Sequence, residues 1–414
     1  MTDAQHPAHQ NEVTQPESPA ARWASRLVVA GVALTAAWLA ALTLGVFAPG
    51  LPRLGAYGAV MAGDSFRAML FALGVTAVAA WLWWRRRTAF RALVVAMAAF
   101  ALIGTGYVSG RLVATARAES VDLQVAPLFG LGGTDARDPD ADVVYLHDQG
   151  EDLRIALWQP PAPGPASAAR RAPVVALVHG GGWIGGSRLD PLQTARATWL
   201  ADQGYLVASV GYSLSGPDRH LWDAQEPQLA CALTWLGQHA RDYGGDPTRL
   251  AMVGDSAGGN LVLDVAYRAA AATATSACEG PIPQVKAVST LYPNVSPAGF
   301  YAADRTGSGL AATMTQRHTG GTPAEVPERY EALTPANHLT AAAPPTLMVV
   351  PNGDRFVPPA DAYALADTLS ATGVPNHLVR IYAADHIFDA KSGSAGAQIW
   401  RQATLDWFRA HELG

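Results

Sequence analysis

Leu250-Ala251-Met252-Val253-Gly254-Asp255-Ser256-Ala257-Gly258-Gly259-Asn260 is the stretch on which the fold turns. An apolar run, 250–253, enters it, and an Ala- and Leu-rich helical pattern leaves it from about Leu261. Strand, tight turn and helix follow one another, with a serine at the turn. Gly254 and Gly258 stand two residues before and two after that serine, where so sharp a turn crowds the backbone and leaves no room for a side chain. The turn lifts the hydroxyl clear of the sheet. The helix start behind it favours developing negative charge. A glycine-rich turn with a capping serine is the bland alternative; the strand-to-helix setting favours a nucleophile.

Outward from this turn, strands and helices alternate. Strand candidates are 174–178, 206–210, 250–253, 285–291, 346–350 and 377–382. Helix candidates lie near 191–203, 224–242, 257–272, 360–372 and 395–411. Such alternation predicts an α/β fold, a mostly parallel sheet with helices on both faces. Ahead of it, 143–146 and 153–158 flank a Gly-containing turn and predict a hairpin. The Pro/Ala-rich segment 159–173, with Arg170 and Arg171, reads as an exposed loop. There is no internal repeat.

His179-Gly180-Gly181-Gly182-Trp183 follows directly on strand 174–178. Glycines in that position let backbone N–H groups turn inward, where they can hold the oxyanion of a tetrahedral intermediate. The expected donors are the amides of Gly181, Gly182 and Ala257. A serine hydroxyl also needs a base, and the base an orienting carboxylate. In the chain order serine, acid, histidine, the acid is Asp354, just past the apolar strand 346–350, and the base is His386, past strand 377–382. A turn aspartate and a surface histidine are the alternatives, but both residues stand in the right order at strand C-terminal ends. Asp385 and Asp389 flank the histidine without following a separate strand. Asp255 is expected to fix the loop, and His179 to shape the glycine turn. His318 and His338 fall in the irregular segment 295–345 and read as exposed or lid residues. Segment 296–334, with Gly307, Gly309, Gly320 and Gly321, reads as a flap over the pocket or as an ordinary surface insertion.

His179-Gly-Gly-Gly-Trp183 with Gly254-Asp-Ser-Ala-Gly-Gly-Asn260 resembles the hormone-sensitive-lipase-like and related carboxylesterase branch of the α/β-hydrolases. Tyr243-Gly-Gly-Asp-Pro-Thr-Arg249 and Gly353-Asp354-x-x-Val-Pro358 are similar to it too. The resemblance spans about 143–411. It implies an α/β-hydrolase fold and a Ser-His-Asp esterase without metal or organic cofactor: Ser256 as nucleophile, His386 as base, Asp354 as its orienter. Two positions depart from the pattern. Asp385 stands before the histidine where Gly is common, and Ser209-Val-Gly-Tyr-Ser213 replaces the usual D-Y-R. A peptidase or amidase, or an acyltransferase, would use the same triad. A non-catalytic membrane binding module is the reading from another class.

The resemblance leaves the first third of the chain unexplained. Of 414 residues 50% are apolar and 15% charged, which points to membrane segments. Residues 1–21 are polar and read as a disordered cytoplasmic tail. Three uncharged stretches follow, 27–47, 68–84 and 92–110, within a membrane region spanning 22–112. Each is near the length that crosses a bilayer as a helix, and Trp81, Trp83 and Trp84 sit where an interfacial belt would be. Arg22 and Arg26 precede the first span, and Arg85, Arg86, Arg87 and Arg91 separate the second and third. The first loop holds Arg53 and Arg67. The positive-inside rule then puts the N-terminus in the cytoplasm and the catalytic part, 142–414, outside it, behind a linker at 113–141. The expected substrate is a small-molecule or lipid ester. A net charge of -5 without basic–aromatic runs gives nucleic acid no support as a partner. Cys231 and Cys278 lack metal or redox spacing and are either one disulfide or two buried thiols.

Overall fold

A computed structural model describes residues 18–48, 50–131, 136–161, 171–303 and 308–414. Most of the polar N-terminal segment, 162–170 of the Pro/Ala-rich loop and part of the 113–141 segment lie outside the described residues.

The N-terminal third is helical: α1 (Pro19–Phe47), α2 (Pro52–Gly63), α3 (Ser65–Arg85) and α4 (Ala89–Ala118). Three of these, α1 from Arg22 onward, α3 and α4, are long and apolar enough to cross a membrane. Helix α2 occupies what the sequence presents as a loop. Its glycines mask it, because they lower helix propensity while permitting close packing. A Cβ on Gly58 would come within 2.3 Å of the Gly45 backbone of α1.

The end of the third apolar stretch is also corrected. No linker begins at 113, because α4 runs on to Ala118. Nothing in Arg111-Leu-Val-Ala-Thr-Ala-Arg-Ala118 breaks a helix. At 1.5 Å per residue its 30 residues extend roughly 45 Å, against about 30 Å of bilayer hydrocarbon, so its last turns exceed what one crossing would need. They are built into the globular domain: Val108, Leu112 and Ala116, one face of the helix, join its core. The short α5 (Val125–Leu128) follows.

Eight strands form one sheet, in the order β1-β2-β4-β3-β5-β6-β7-β8. They are β1 (Ala141–Asp148), β2 (Glu151–Trp158), β3 (Ala172–Val178), β4 (Leu206–Val210), β5 (Gly245–Asp255), β6 (Val285–Leu291), β7 (Thr346–Pro351) and β8 (Asn376–Ile381). β1 and β2 are the antiparallel hairpin, closed by Gln149 and Gly150 at φ of 47° and 82°, as a two-residue primed turn requires. β2 joins β4 antiparallel, and β3 to β8 are all parallel. The expectation of a mostly parallel sheet is met.

The connecting helices are α6 (Pro191–Asp202), α7 (Gln225–His239), α8 (Ser256–Ala270), α9 (Pro297–Ala302), α10 (Leu310–Thr319), α11 (Pro327–Ala332), α12 (Pro359–Ala371) and α13 (Ala395–Ala410). Side chains alternate across β3. Val174, Ala176 and Val178 face one core with Leu233 of α7, Leu261 of α8 and Leu365 of α12. Val175 and Leu177 face the other with Leu200 of α6 and Ile399 and Trp400 of α13. Cys231 of α7 and Cys278 ahead of β6 form a disulfide, Cα to Cα 5.2 Å, which decides between the two readings of the cysteines.

Candidate active site

Ser256 begins α8 at the C-terminal end of β5, with φ of 52°. A left-handed conformation is rare for a residue with a side chain and is kept only where the surroundings dictate it. Here the flanking glycines do so. A Cβ on Gly254 would come within 2.4 Å of Gly258 O, and one on Gly258 within 2.4 Å of both Val178 O and His179 O. The pairing of Val178 with Gly254 sets the glycine turn after β3 beside this elbow.

β7 delivers Asp354 and β8 delivers His386. Asp354 Oδ1 accepts from the amides of Phe356 and Val357, both at 2.9 Å. Its Oδ2 lies 2.8 Å from His386 Nδ1, and His386 Nε2 lies 3.0 Å from Ser256 Oγ. The tautomer these contacts imply has Nδ1–H donating to the carboxylate and Nε2 accepting from the hydroxyl. The ring is held by Tyr292 at 4.5 Å and the edge of Phe356 at 5.2 Å. Burial works against a charged imidazole. The Asp354 charge and hydrogen bond outweigh it, with Asp385 and Asp255 adding to them, and His386 titrates above the ordinary histidine value.

The glycine turn is rigid. His179 is buried, its Nδ1 donates to Gly180 O at 2.7 Å, and its ring stacks on Tyr212 at 4.3 Å. Burial lowers its pKa, so it stays neutral. The Gly180 amide donates to Asp255 Oδ1 at 3.2 Å. The amides of Gly181 and Gly182, at φ of 119° and 62°, donate to no acceptor among the described residues. Ala257 is the second residue of α8, where an N–H has no carbonyl of its own helix to meet.

Sequence reasoning missed the network beneath the site. Arg196 of α6 is buried and donates to Asp255 Oδ1 at 2.7 Å, Asp389 Oδ2 at 2.8 Å and Tyr292 Oη at 2.6 Å. Tyr292 Oη donates in turn to Asp389 Oδ1 at 2.8 Å, and Gln193 adds a donor to Asp255 at 2.6 Å. The one signal was a charged residue on a helix face otherwise buried through Gln193, Ala197 and Leu200. Asp385 holds Arg355 through its side chain and amide. Neither Asp385 nor Asp389 is a hydrogen-bond partner of the His386 ring.

Two histidines are corrected. His318 is not exposed. It is fully buried, stacked on Trp183 at 5.0 Å and 3.0 Å from Ser215 Oγ. Burial pushes its pKa down to about 3. His338 lies against Asp264 at 3.3 Å and Arg268 at 2.8 Å. The segment 296–334 supplies α9, α10 and α11, and residues 304–307, Gly307 included, lie outside the described residues. Met314 of α10 lies over the glycine turn, where a Cβ on Gly182 would come within 2.4 Å of its sulfur.

The sequence model of the BD-FAE family matches residues 164–369. Carboxylesterase NlhH of Mycobacterium tuberculosis is 39% identical over 112 residues, 27% of this chain and 32% of that one. Human hormone-sensitive lipase is 33% identical over 123 residues, 28% of this chain and 10% of that one. The chain thus spans a third or less of the length of these relatives. Thermogutta terrifontis esterase 2, in a structure phosphonylated by sarin, superposes with a TM-score of 0.52 at 20% identity, over 65% of this chain and 94% of that one.

Proposed function

We propose that this chain, which belongs to the α/β-hydrolases in their hormone-sensitive-lipase-like carboxylesterase branch, hydrolyses carboxylic esters at Ser256 through an acyl-enzyme. One observation carries the reading: His386 bridges Asp354 and the Ser256 hydroxyl at 2.8 and 3.0 Å, beside two amides that meet no acceptor among the described residues.

Ser256 Oγ attacks the ester carbonyl as its proton passes to His386 Nε2. Asp354 stabilises the imidazolium that results. The negative carbonyl oxygen is received by the amides of Gly181, Gly182 and Ala257, donors already oriented before the reaction starts. His386 returns the proton to the departing alcohol, then takes one from the water that attacks the acyl carbon, and gives it to Ser256 Oγ as that bond breaks and the acid is released. None of these steps needs a metal or organic cofactor.

The three long apolar helices support a membrane-anchored enzyme. The arginines around 85–91 support a cytoplasmic N-terminus and a catalytic domain outside the cytoplasm. The disulfide fits an oxidising compartment. The experiment is hydrolysis of short activated acyl esters by the full chain in detergent, beside Ser256→Ala. The variant should lose on the order of 10⁴-fold or more, and equal rates would end the assignment. A reporter fused after Gly414 should be active only outside the cytoplasm.

A further inference from the structure

We propose that the Ser256 site faces the bilayer crossed by α1, α3 and α4, and takes as substrate an ester lipid lying in the adjacent leaflet. The inference deepens the membrane-anchored esterase reading and rests on it. It does not depend on which side of the membrane the domain occupies.

The direction of β8 relative to α4 sets which way the site faces. At the start of β8, His377 Nε2 lies 2.7 Å from Glu119, just past the far end of α4. At its end, the ring of Tyr382 packs edge-on against Tyr107 of α4 at 5.8 Å and beneath Arg111 at 4.6 Å. From Glu119 back to Tyr107 is a descent of roughly 18 Å along a helix, and from His377 to Tyr382 roughly 16 Å along a strand. β8 therefore runs antiparallel to α4, toward the membrane. β3 to β8 are parallel, so the C-terminal ends of all six point the same way. Ser256, Asp354 and His386 stand at those ends.

Two ties fix the level. Tyr107 also meets Phe47, the last residue of α1, at 6.1 Å. Lys391 pairs with Asp64, between α2 and α3. Tyr382 and Lys391 are thus held where the spanning helices end, and His386 lies between them in the chain. A chain covers at most ~3.6 Å per residue, so the backbone of His386 is within roughly 14 Å of Tyr382. Ser256 is hydrogen-bonded to His386.

Exposed apolar side chains mark the same edge. From β1 onward, the large hydrophobic residues left exposed among the described residues are Leu189, Leu310 and Ile387. Each lies beyond the C-terminal end of a parallel strand: β3, β6 and β8. Ile387, next to His386, is 47% exposed at φ of 57°, a conformation rare for a β-branched residue. Val125 and Leu131, which flank the segment that meets Arg67 through Leu128 O, are exposed as well. Apolar groups gathered on the side that faces a bilayer suit contact with lipid.

The test uses the full chain in phosphatidylcholine vesicles, with two esters. A short water-soluble activated ester reports the Ser256 chemistry. A fluorogenic diacylglycerol is placed in the enzyme's own vesicles or in separate ones. Diacylglycerol should be cut in the shared bilayer about tenfold or more faster than in separate vesicles, with the short ester cut equally in both. Diacylglycerol left uncut, or cut equally in both arms, while the short ester is turned over, overturns the membrane-facing site and spares the esterase reading. If neither is cut, the esterase reading fails and this inference with it. A second readout needs no activity. A fluorophore at Ile387→Cys should be quenched by brominated lipid, and one at Thr248→Cys, exposed at the opposite edge of the sheet, should not. Quenching at Thr248, or at neither position, also overturns it.

Discussion

Asp255 and Asp389 accept hydrogen bonds from the same buried guanidinium, that of Arg196, at 2.7 and 2.8 Å. One carboxylate immediately precedes Ser256 and the other follows His386 by three residues. The two segments that must meet for proton transfer are therefore clamped from below. Arg196→Met would leave both carboxylates buried without their cation, a cost of about 3–5 kcal/mol. Arg196→Lys should recover only part of it, because an ammonium cannot reproduce the fork that reaches both acids and Tyr292. Urea denaturation of the two variants, with kcat from the same preparations, checks both expectations.

The clamp also marks where sequence reading stops. Strand β4, 206–210, was legible to the residue because Leu-Val-Ala-Ser-Val, a nearly apolar run between Gly204 and Gly211, has one comfortable place, the buried interior of the sheet. Ser256, Asp354 and His386 were nameable because each follows a strand that the sequence shows, and the structure brings them within hydrogen-bond distance. Arg196 and Tyr292 were not, since their partners come from elements far apart in the chain. His318 was misread for the same reason. A glycine-rich, irregular neighbourhood suggests exposure, while the aromatic face that buries it belongs to Trp183 on another loop. Helix α2 stayed hidden because its glycines weaken propensity while serving a close crossing with α1.

Gly258→Ala should abolish activity. The added methyl would lie 2.4 Å from two backbone carbonyls at the end of β3, and neither can withdraw without moving the glycine turn. Overpacking of this kind costs about 1–3 kcal/mol or more. Gly237→Ala is the contrasting case. It lies within α7, and its nearest neighbour would be Pro283 at 3.6 Å, an ordinary contact. That change should stabilise by about 0.5–1 kcal/mol and leave kcat unchanged. Thermal melting and ester turnover separate the two.

Replacing both Cys231 and Cys278 by Ser should lower stability without touching the site. The bridge closes a loop 47 residues long. The chain-entropy relation puts the stabilisation from such a loop at about 4 kcal/mol. The expected outcome is a lower urea midpoint for the Ser variant, the same shift in wild type treated with dithiothreitol, and no further shift when the variant is treated. A midpoint indifferent to reductant would mean that the bridge does not form.

The pH dependence follows from the charge balance around His386. The base must be neutral to accept the Ser256 proton, so kcat/KM should fall as pH drops through its pKa. That pKa lies above the usual value, since Asp354, then Asp385 and Asp255, outweigh the opposing effect of burial. The acid limb should therefore fall at a higher pH than for an ordinary histidine. Asp354→Asn removes the largest favourable charge, and the limb should move to lower pH. The rate should still fall, on the order of 10⁴-fold, because the amide no longer holds Nδ1–H in place and leaves Nε2 unready to accept. The same shift has a sign for stability. A group whose folded pKa is raised stabilises fully below its unfolded pKa, and that contribution is lost as pH rises through the folded value. Wild type should thus lose a small increment of stability across neutral pH that Asp354→Asn lacks. An acid limb unmoved by the substitution would show that Asp354 does not act on His386 in solution.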